Sequence, residues 1–180
     1  MIPSDGEKLF VISAIVEHKP GVLHRISNMF RRRDFNIESI TVGATEARDL
    51  ARMTITVKGD EFTAAQVVKQ MGKLIDVIHV DTLDWEKSVQ RELALIKLRA
   101  GTHEERSEIM DYVSIFRGRI VDVSTTSLIV EITGTPDKID AFLSLIDRFG
   151  IIEMARTGIV ALSRGSSSIR KGVQEKLKEG

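Results

Sequence analysis

Cysteine is missing from the 180 residues, proline occurs three times, and tryptophan and tyrosine once each. Without cysteine there are no disulfides, no thiolate nucleophile and no Cys-ligated zinc, which fits a reducing compartment. Charge of one sign is also lacking: Lys plus Arg and Asp plus Glu are both 26, so no net field draws the chain to nucleic acid or an anionic membrane. No apolar run is long enough to cross a bilayer, and Met1-Ile2-Pro3-Ser4-Asp5-Gly6 has neither the basic nor the apolar segment of a secretory signal. A cytoplasmic location is the expectation. What is present, 42% hydrophobic and 29% charged residues, suits one or two small packed domains.

The organising stretch runs from Glu17 to Gly43. Before it, Leu9–Val16 is apolar at nearly every position, as in a strand covered on both faces, with Leu9, Val11 and Ile15 on one side and Phe10, Ile12, Ala14 and Val16 on the other. Lys19-Pro20-Gly21 interrupts that strand: Pro20 holds Lys19 extended and offers no amide hydrogen, and Gly21 permits a tight turn. Val22, Leu23, Ile26, Met29 and Phe30 then recur on one helical face, with His24, Arg25, Ser27, Asn28, Arg31 and Arg32 on the other. The first turn of such a helix leaves amides without partners where the dipole is positive, which suits a carboxylate. Asn36, opening the next strand, carries both a donor and an acceptor. With apolar walls from Val22, Leu23 and Ile37, the stretch has the parts of a site for a free aliphatic amino acid.

The remaining pattern repeats one order. Met53, Ile55 and Val57 alternate with polar residues as a strand. A helix is expected from about Phe62 with Ala65, Val68 and Met71 inward, and Val77, Val80 and Leu83 make a last strand. The second half runs strand Leu93–Leu98, helix Glu104–Phe116, strands Ile120–Val123 and Leu128–Ile132, a helix through Ile139, Phe142, Leu143 and Ile146, and a strand from Ile151. Met29-Phe30-Arg31 and Ile115-Phe116-Arg117 read as the same helix-to-strand corner met twice. The expected class is α+β, with two ferredoxin-like βαββαβ domains at 1–84 and 85–163 and a flexible or partly helical tail at 164–180. The doubly apolar first strand implies a partner on the open sheet face.

The run K-P-G-V-L-x-R-I-x-x-M-F-x-R-R-x-F-N-I-E-S-I-T-V-G, Lys19 to Gly43, resembles the N-terminal ACT domain of the small regulatory subunits of acetohydroxyacid (acetolactate) synthase. Further motifs agree in order: Arg52-Met53-Thr54-Ile55, Lys73-Leu74-Ile75-Asp76-Val77, Arg91–Lys97, Ile115–Val123 and Ala155–Gly165. The resemblance implies a homodimer or higher homo-oligomer with the effector at the interface of paired ACT domains, and effector contacts from His18, Lys19, Pro20, Gly21, Val22, Leu23, Asn36, Ile37 and Gly43. Asn36 matches the family's pocket asparagine, and Gly43 stands where many relatives have a small residue bordering the pocket. His18 departs from the family, which often has Asn there. It further implies no cofactor of the chain's own, and a catalytic large subunit that carries thiamine diphosphate, Mg²⁺ and FAD. That subunit would be activated by this one and restrained by valine or a related branched-chain amino acid. Gly101-Thr102-His103-Glu104-Glu105 lacks the Pro-Gly turn and places carboxylates at the helix start, so no second effector site is expected there.

Competing readings are weaker. A free-standing ACT sensor acting on another enzyme or a transcription factor would share the same motifs. Arg31-Arg32-Arg33 at the end of a helix complements its dipole and reads as a solvated end. The strand around Arg52–Val57 offers no aromatic platform for RNA. Asp76, His79 and Asp81 are poorly spaced for a metal, and Ser127, His103 and Asp122 come without a nucleophile elbow. No catalytic and no metal residues are expected.

Overall fold

The computed structural model describes residues 8–169, which fall into two compact units. The first takes in 8–90 and, after the chain returns, 159–169; the second is Arg91–Gly158. Each is built on four antiparallel strands with two helices, the ferredoxin-like βαββαβ arrangement in duplicate, and a fifth strand from the returning chain joins the second sheet.

In the first unit β1 (Lys8–Glu17), α1 (Val22–Arg32), β2 (Ile37–Ala44), β3 (Leu50–Gly59), α2 (Glu61–Met71) and β4 (Val77–Leu83) give the strand order β2-β3-β1-β4. One face of β1 and β3, from Ile12, Ala14, Val16, Met53, Ile55 and Val57, packs under Val22, Ile26 and Phe30 of α1 and Val67 and Met71 of α2. A fully buried side chain of this size stabilises by roughly 1.5–3 kcal/mol. The inward face of α2 differs from the expectation. Asp60 accepts from the Thr63 amide at 2.7 Å and starts the helix at Glu61, so the phase buries Ala64, Val67 and Met71 while Ala65 is exposed and Val68 half-buried.

The other face of this sheet was expected to need a partner, and the chain's own return covers its apolar part. Ile159 and Ala161 pack on Leu9, Val11 and Leu83, and Ile169 buries against Ile15. Thr41 Oγ1 donates to the Ile159 carbonyl at 2.8 Å and Arg52 Nη1 to that of Ala161 at 3.3 Å. Within the segment β9 (Val160–Ser163) pairs with β5, and the Arg164 amide donates to the Lys87 carbonyl at 2.8 Å. Residues 159–163, assigned from sequence to the second domain, thus pack against the first unit's sheet while pairing with β5, and 164–169 of the proposed tail continue onto the first unit. The remainder of that tail, 170–180, lies outside the described residues.

The second unit uses the body of β5 (Ser88–Arg99), α3 (His103–Ile115), β6 (Arg119–Val123), β7 (Ser127–Gly134), α4 (Pro136–Ile146) and β8 (Ile151–Arg156), in the order β6-β7-β5-β8. Ala94, Ile96, Leu98, Val130 and Ile132 pack under Ile109, Val113, Ile139 and Phe142. The helix-to-strand corner does repeat, but three residues out of the expected alignment. Asp34 (φ 57°) and Arg117 (φ 52°) are the left-handed residues, and Phe35 and Gly118 donate back to Phe30 and Val113 in matching helix-ending bonds, so Phe30 corresponds to Val113 rather than to Phe116.

Candidate functional site

The site begins where β1 ends. The Glu17 amide donates to the Asp76 carbonyl at 2.9 Å and the His18 amide to that of Asp49 at 2.8 Å, so the stem of the Lys19-Pro20-Gly21 turn is gripped from both flanking connections. Gly21 then adopts φ 88°, ψ −12°, a left-handed conformation that any side chain would strain, and serves as the N-cap of α1 with no side-chain cap. Space is not what demands glycine here, since a Cβ would come only within 3.9 Å of Arg25 Nη1. The first bond back into the helix is Arg25 N–H to the Gly21 carbonyl, 3.0 Å, which leaves the amides of Val22, Leu23 and His24 without an intrahelical acceptor. No acidic residue occupies this first turn. The result is a positive helix end with no acceptor for these amides among the described residues.

Below the turn lies Asp76, whose side chain is 0% exposed. It accepts from Arg25 Nε and, at 3.0 Å, from Arg25 Nη2, and Lys19 Nζ approaches its Oδ1 at 3.0 Å while also pairing with Glu17. Those hydrogen bonds, Arg25's above all, hold the Asp76 carboxyl below the usual aspartate value against the opposing effect of burial. Lys19 is correspondingly raised by Glu17 and Asp76. The carboxylate fixes both cations beside the turn, and so fixes the first turn of α1 to the connection before β4.

Beside the open amides is a small cavity of about 120 Å³ lined by Val16, Glu17, His18, Lys19, Val22, Leu23, Val42, Ala51 and Met53. Its mouth is apolar and unfinished: Leu23 is 51% and Val42 50% exposed. Of the residues expected here from sequence, His18, Lys19, Val22 and Leu23 line the cavity, and Pro20 and Gly21 form the turn above it. Gly43 is at the same end of the sheet, but a Cβ on it would touch nothing within 4 Å, so its neighbour Val42 supplies the wall.

Asn36 and Ile37 are elsewhere within one chain. Ile37 pairs with Val57 and so with the row of Phe10, whereas Ala44 pairs with Ala51 and the row of Val16. Six residues of strand, roughly 20 Å, separate those rows. Asn36 Nδ2 donates to Glu38 Oε1 at 2.8 Å, and Ile37 packs half-buried on the helix-side core. A single chain does not bring Asn36 to the Gly21 turn.

The second unit's equivalent helix start is filled. Thr102 caps α3, Glu105 N–H donates to Thr102 Oγ1 at 3.1 Å, and Glu105 Oε2 accepts from the amides of Gly101 and Thr102 at 2.8 and 3.0 Å. These bonds lower the Glu105 pKa. A carboxylate already occupies the place that is open in α1.

Sequence reasoning passed over Asp76 and Arg25 as the anchors of the turn, and Val42 as a wall. No local signal marked them, since Lys19 and Arg25 are each about half exposed and water alone could solvate both cations. Among the described residues no group of three His, Asp or Glu side chains is placed to hold a metal, and no helix is long and apolar enough to cross a membrane. The Ser127 hydroxyl meets that of Ser124 at 2.8 Å.

The fold defines an ACT-type protein, and residues 12–79 match the family model described as the AHAS small subunit-like ACT domain. Residues 91–165 match the model for the small subunit of acetolactate synthase. The probable acetolactate synthase small subunit of Methanothermobacter thermautotrophicus is 56% identical over 159 residues, spanning 88% of this chain and 95% of its own. That of Mycolicibacterium smegmatis is 48% identical over 166 residues, 92% and 97% of the two chains. The crystal structure of the small subunit from Thermotoga maritima superposes with a TM-score of 0.82 at 46% identity, covering 89% of this chain and 99% of that one. The chain belongs to the family of acetolactate synthase small subunits.

Proposed function

We propose that the chain is the regulatory partner of an acetolactate synthase catalytic subunit and that a branched-chain amino acid, valine or a close relative, is its effector. The observation that carries this reading is the contrast between the two helix starts. The start of α1 is uncapped, free of acid and set beside an apolar cavity, whereas that of α3 is closed by Glu105. An amino acid's carboxylate takes the Val22–His24 amides, and its side chain takes the space among Val16, Leu23, Val42 and Met53. The polar remainder of the site comes from Asn36 of a second copy, because the chain's own Asn36 is at the far end of the sheet. The small subunit is thus a homodimer in this reading, with two sites that straddle the protomers.

The chain contributes no chemistry of its own to 2-acetolactate formation. Thiamine diphosphate, Mg²⁺ and FAD belong to the catalytic partner, which this subunit activates and through which feedback operates. For the effector to regulate, it must favour one arrangement of the subunits over another, typically by about 1–3 kcal/mol. Valine, leucine and isoleucine differ by a methylene or its placement, which an apolar pocket distinguishes by roughly 1–3 kcal/mol.

Calorimetric titration of the three amino acids, with and without the catalytic subunit, tests the reading alongside rate measurements on the reconstituted pair. Saturable binding, a faster reconstituted enzyme and its inhibition by the bound amino acid are expected. Binding without complex or rate change would point instead to a free-standing amino-acid sensor for another enzyme or transcription factor. No binding, or binding unaltered in Gly21→Asp, would overturn the site.

A further inference from the structure

The outer face of α1 carries a second arrangement that the effector site does not use. Arg25, Asn28, Met29 and Arg32 follow one another at three, four and seven residues, and therefore form a single stripe along the helix. Arg33 at the C-cap and Leu74 from the connection between α2 and β4 complete the walls of a cavity of about 310 Å³. Three guanidiniums line it and no carboxylate does.

The charges there are not equally balanced. Arg25 is neutralised by Asp76. Arg33 Nη2 donates to Gln70 Oε1 at 3.0 Å, and Gln70 is buried, so this guanidinium is held in place by a neutral amide that leaves its charge uncompensated. The Arg32 side chain makes no hydrogen bond or ion pair with the described residues. Two uncompensated cations thus share one cavity, one of them already oriented. Asn28, whose Nδ2 lies 2.8 Å from His24 Nε2, adds a polar group to the lining, and Met29 and Leu74 give an apolar wall.

We infer that this cavity binds a multivalent oxyanion of the phosphate class, the phosphate of a small ester or a diphosphate. A guanidinium fork matches phosphate oxygens two at a time, and a group with about two negative charges and three acceptor oxygens meets two forks at once. A carboxylate, with one charge, satisfies only one. The volume lies at the low end of small-molecule sites, roughly 300–1,000 Å³, which suits a compact phosphate rather than a dinucleotide.

The test is calorimetric titration of the full chain with pyrophosphate at low salt, since added salt screens an exposed site. Saturable binding is expected, weaker for inorganic phosphate and absent for acetate. Arg32→Gln should weaken it by about tenfold or more, the usual worth of a charge-assisted bond, and Arg32→Gln/Arg33→Gln should abolish it. Arg31→Gln, a neighbour outside the cavity, should bind like the parent. Thermal melts of each variant show whether the fold is kept. No saturable heat with the parent protein, equal weakening by Arg31→Gln, or acetate binding as tightly as pyrophosphate would each overturn the assignment. So would loss of affinity for the catalytic subunit in Arg32→Gln/Arg33→Gln when the parent binds no pyrophosphate, which would make the patch a protein-docking surface. None of these outcomes depends on whether valine binds at the Gly21 turn.

Discussion

Arg25 and Asp76 stand 51 residues apart in the chain and meet through two guanidinium nitrogens on two carboxylate oxygens. This contact, with Lys19 on the same acid, ties the opening of α1 to the approach of β4. The folded-state carboxyl titrates below its unfolded value of about 3.9, so its contribution is fully present above that pH and is lost as pH falls through the lower, folded value. Asp76→Asn should lower the melting temperature at neutral pH and flatten its decline below about pH 4. Thermal melts of parent and variant from neutral to acid pH check this. A variant with the parent's acid profile would show that the contact is not what titrates.

The separation of Gly21 from Asn36 yields a complementation test. If the effector site needs one residue from each of two copies, neither Gly21→Asp nor Asn36→Ala binds valine alone. A mixed dimer, however, has one site carrying both changes and one carrying neither. After subunit exchange in an equimolar mixture, roughly one site in four should recover. Equilibrium dialysis with labelled valine measures the recovered capacity. A mixture as inactive as its components, with heterodimers shown to be present, would place the whole site within one chain.

These two results also mark what the sequence could and could not say. The duplicate βαββαβ order was legible because each strand and helix carries its own period, and the turn was legible because Pro20 and Gly21 constrain the backbone wherever they occur. Asp76 was not, because nothing local distinguishes an acid that will be buried under two distant cations from one left in water. Asn36 was read as facing the Gly21 turn over a protomer boundary because the resemblance implies paired domains, and the strand register supplies the physical reason by placing the two in different rows of one chain's sheet. The return of residues 159–169 onto the first unit was missed because Val160–Ser163 is short and has the same alternation as a strand of the second unit.

That return has a measurable weight. Ile159 is buried with Val11 and Leu83, so Ile159→Ala should destabilise the first unit by about 2–4 kcal/mol. Thr41→Val removes the hydroxyl's bond to the Ile159 carbonyl and should cost about 1 kcal/mol. Denaturant unfolding followed at the first unit gives both numbers. Equal midpoints for Ile159→Ala and the parent would mean that the segment lies on the sheet without holding it.

The closed helix start of the second unit makes the complementary prediction. Thr102→Ala removes the cap of α3 and should cost about 1 kcal/mol of that unit's stability. Glu105 acts through its charge as well. Its carboxyl is lowered by the Thr102 and Gly101 amides, so the benefit is present above the unfolded value of about 4.3 and fades as pH falls through the folded one. Glu105→Gln retains an oxygen acceptor but cannot titrate, and its stability should lack this part of the acid dependence. If Glu105 is what keeps an amino-acid carboxylate from α3, calorimetry should show the same valine stoichiometry for the parent and Thr102→Ala, since the glutamate remains. Extra valine sites in Thr102→Ala would mean that the hydroxyl, and not the carboxylate, closes this helix end.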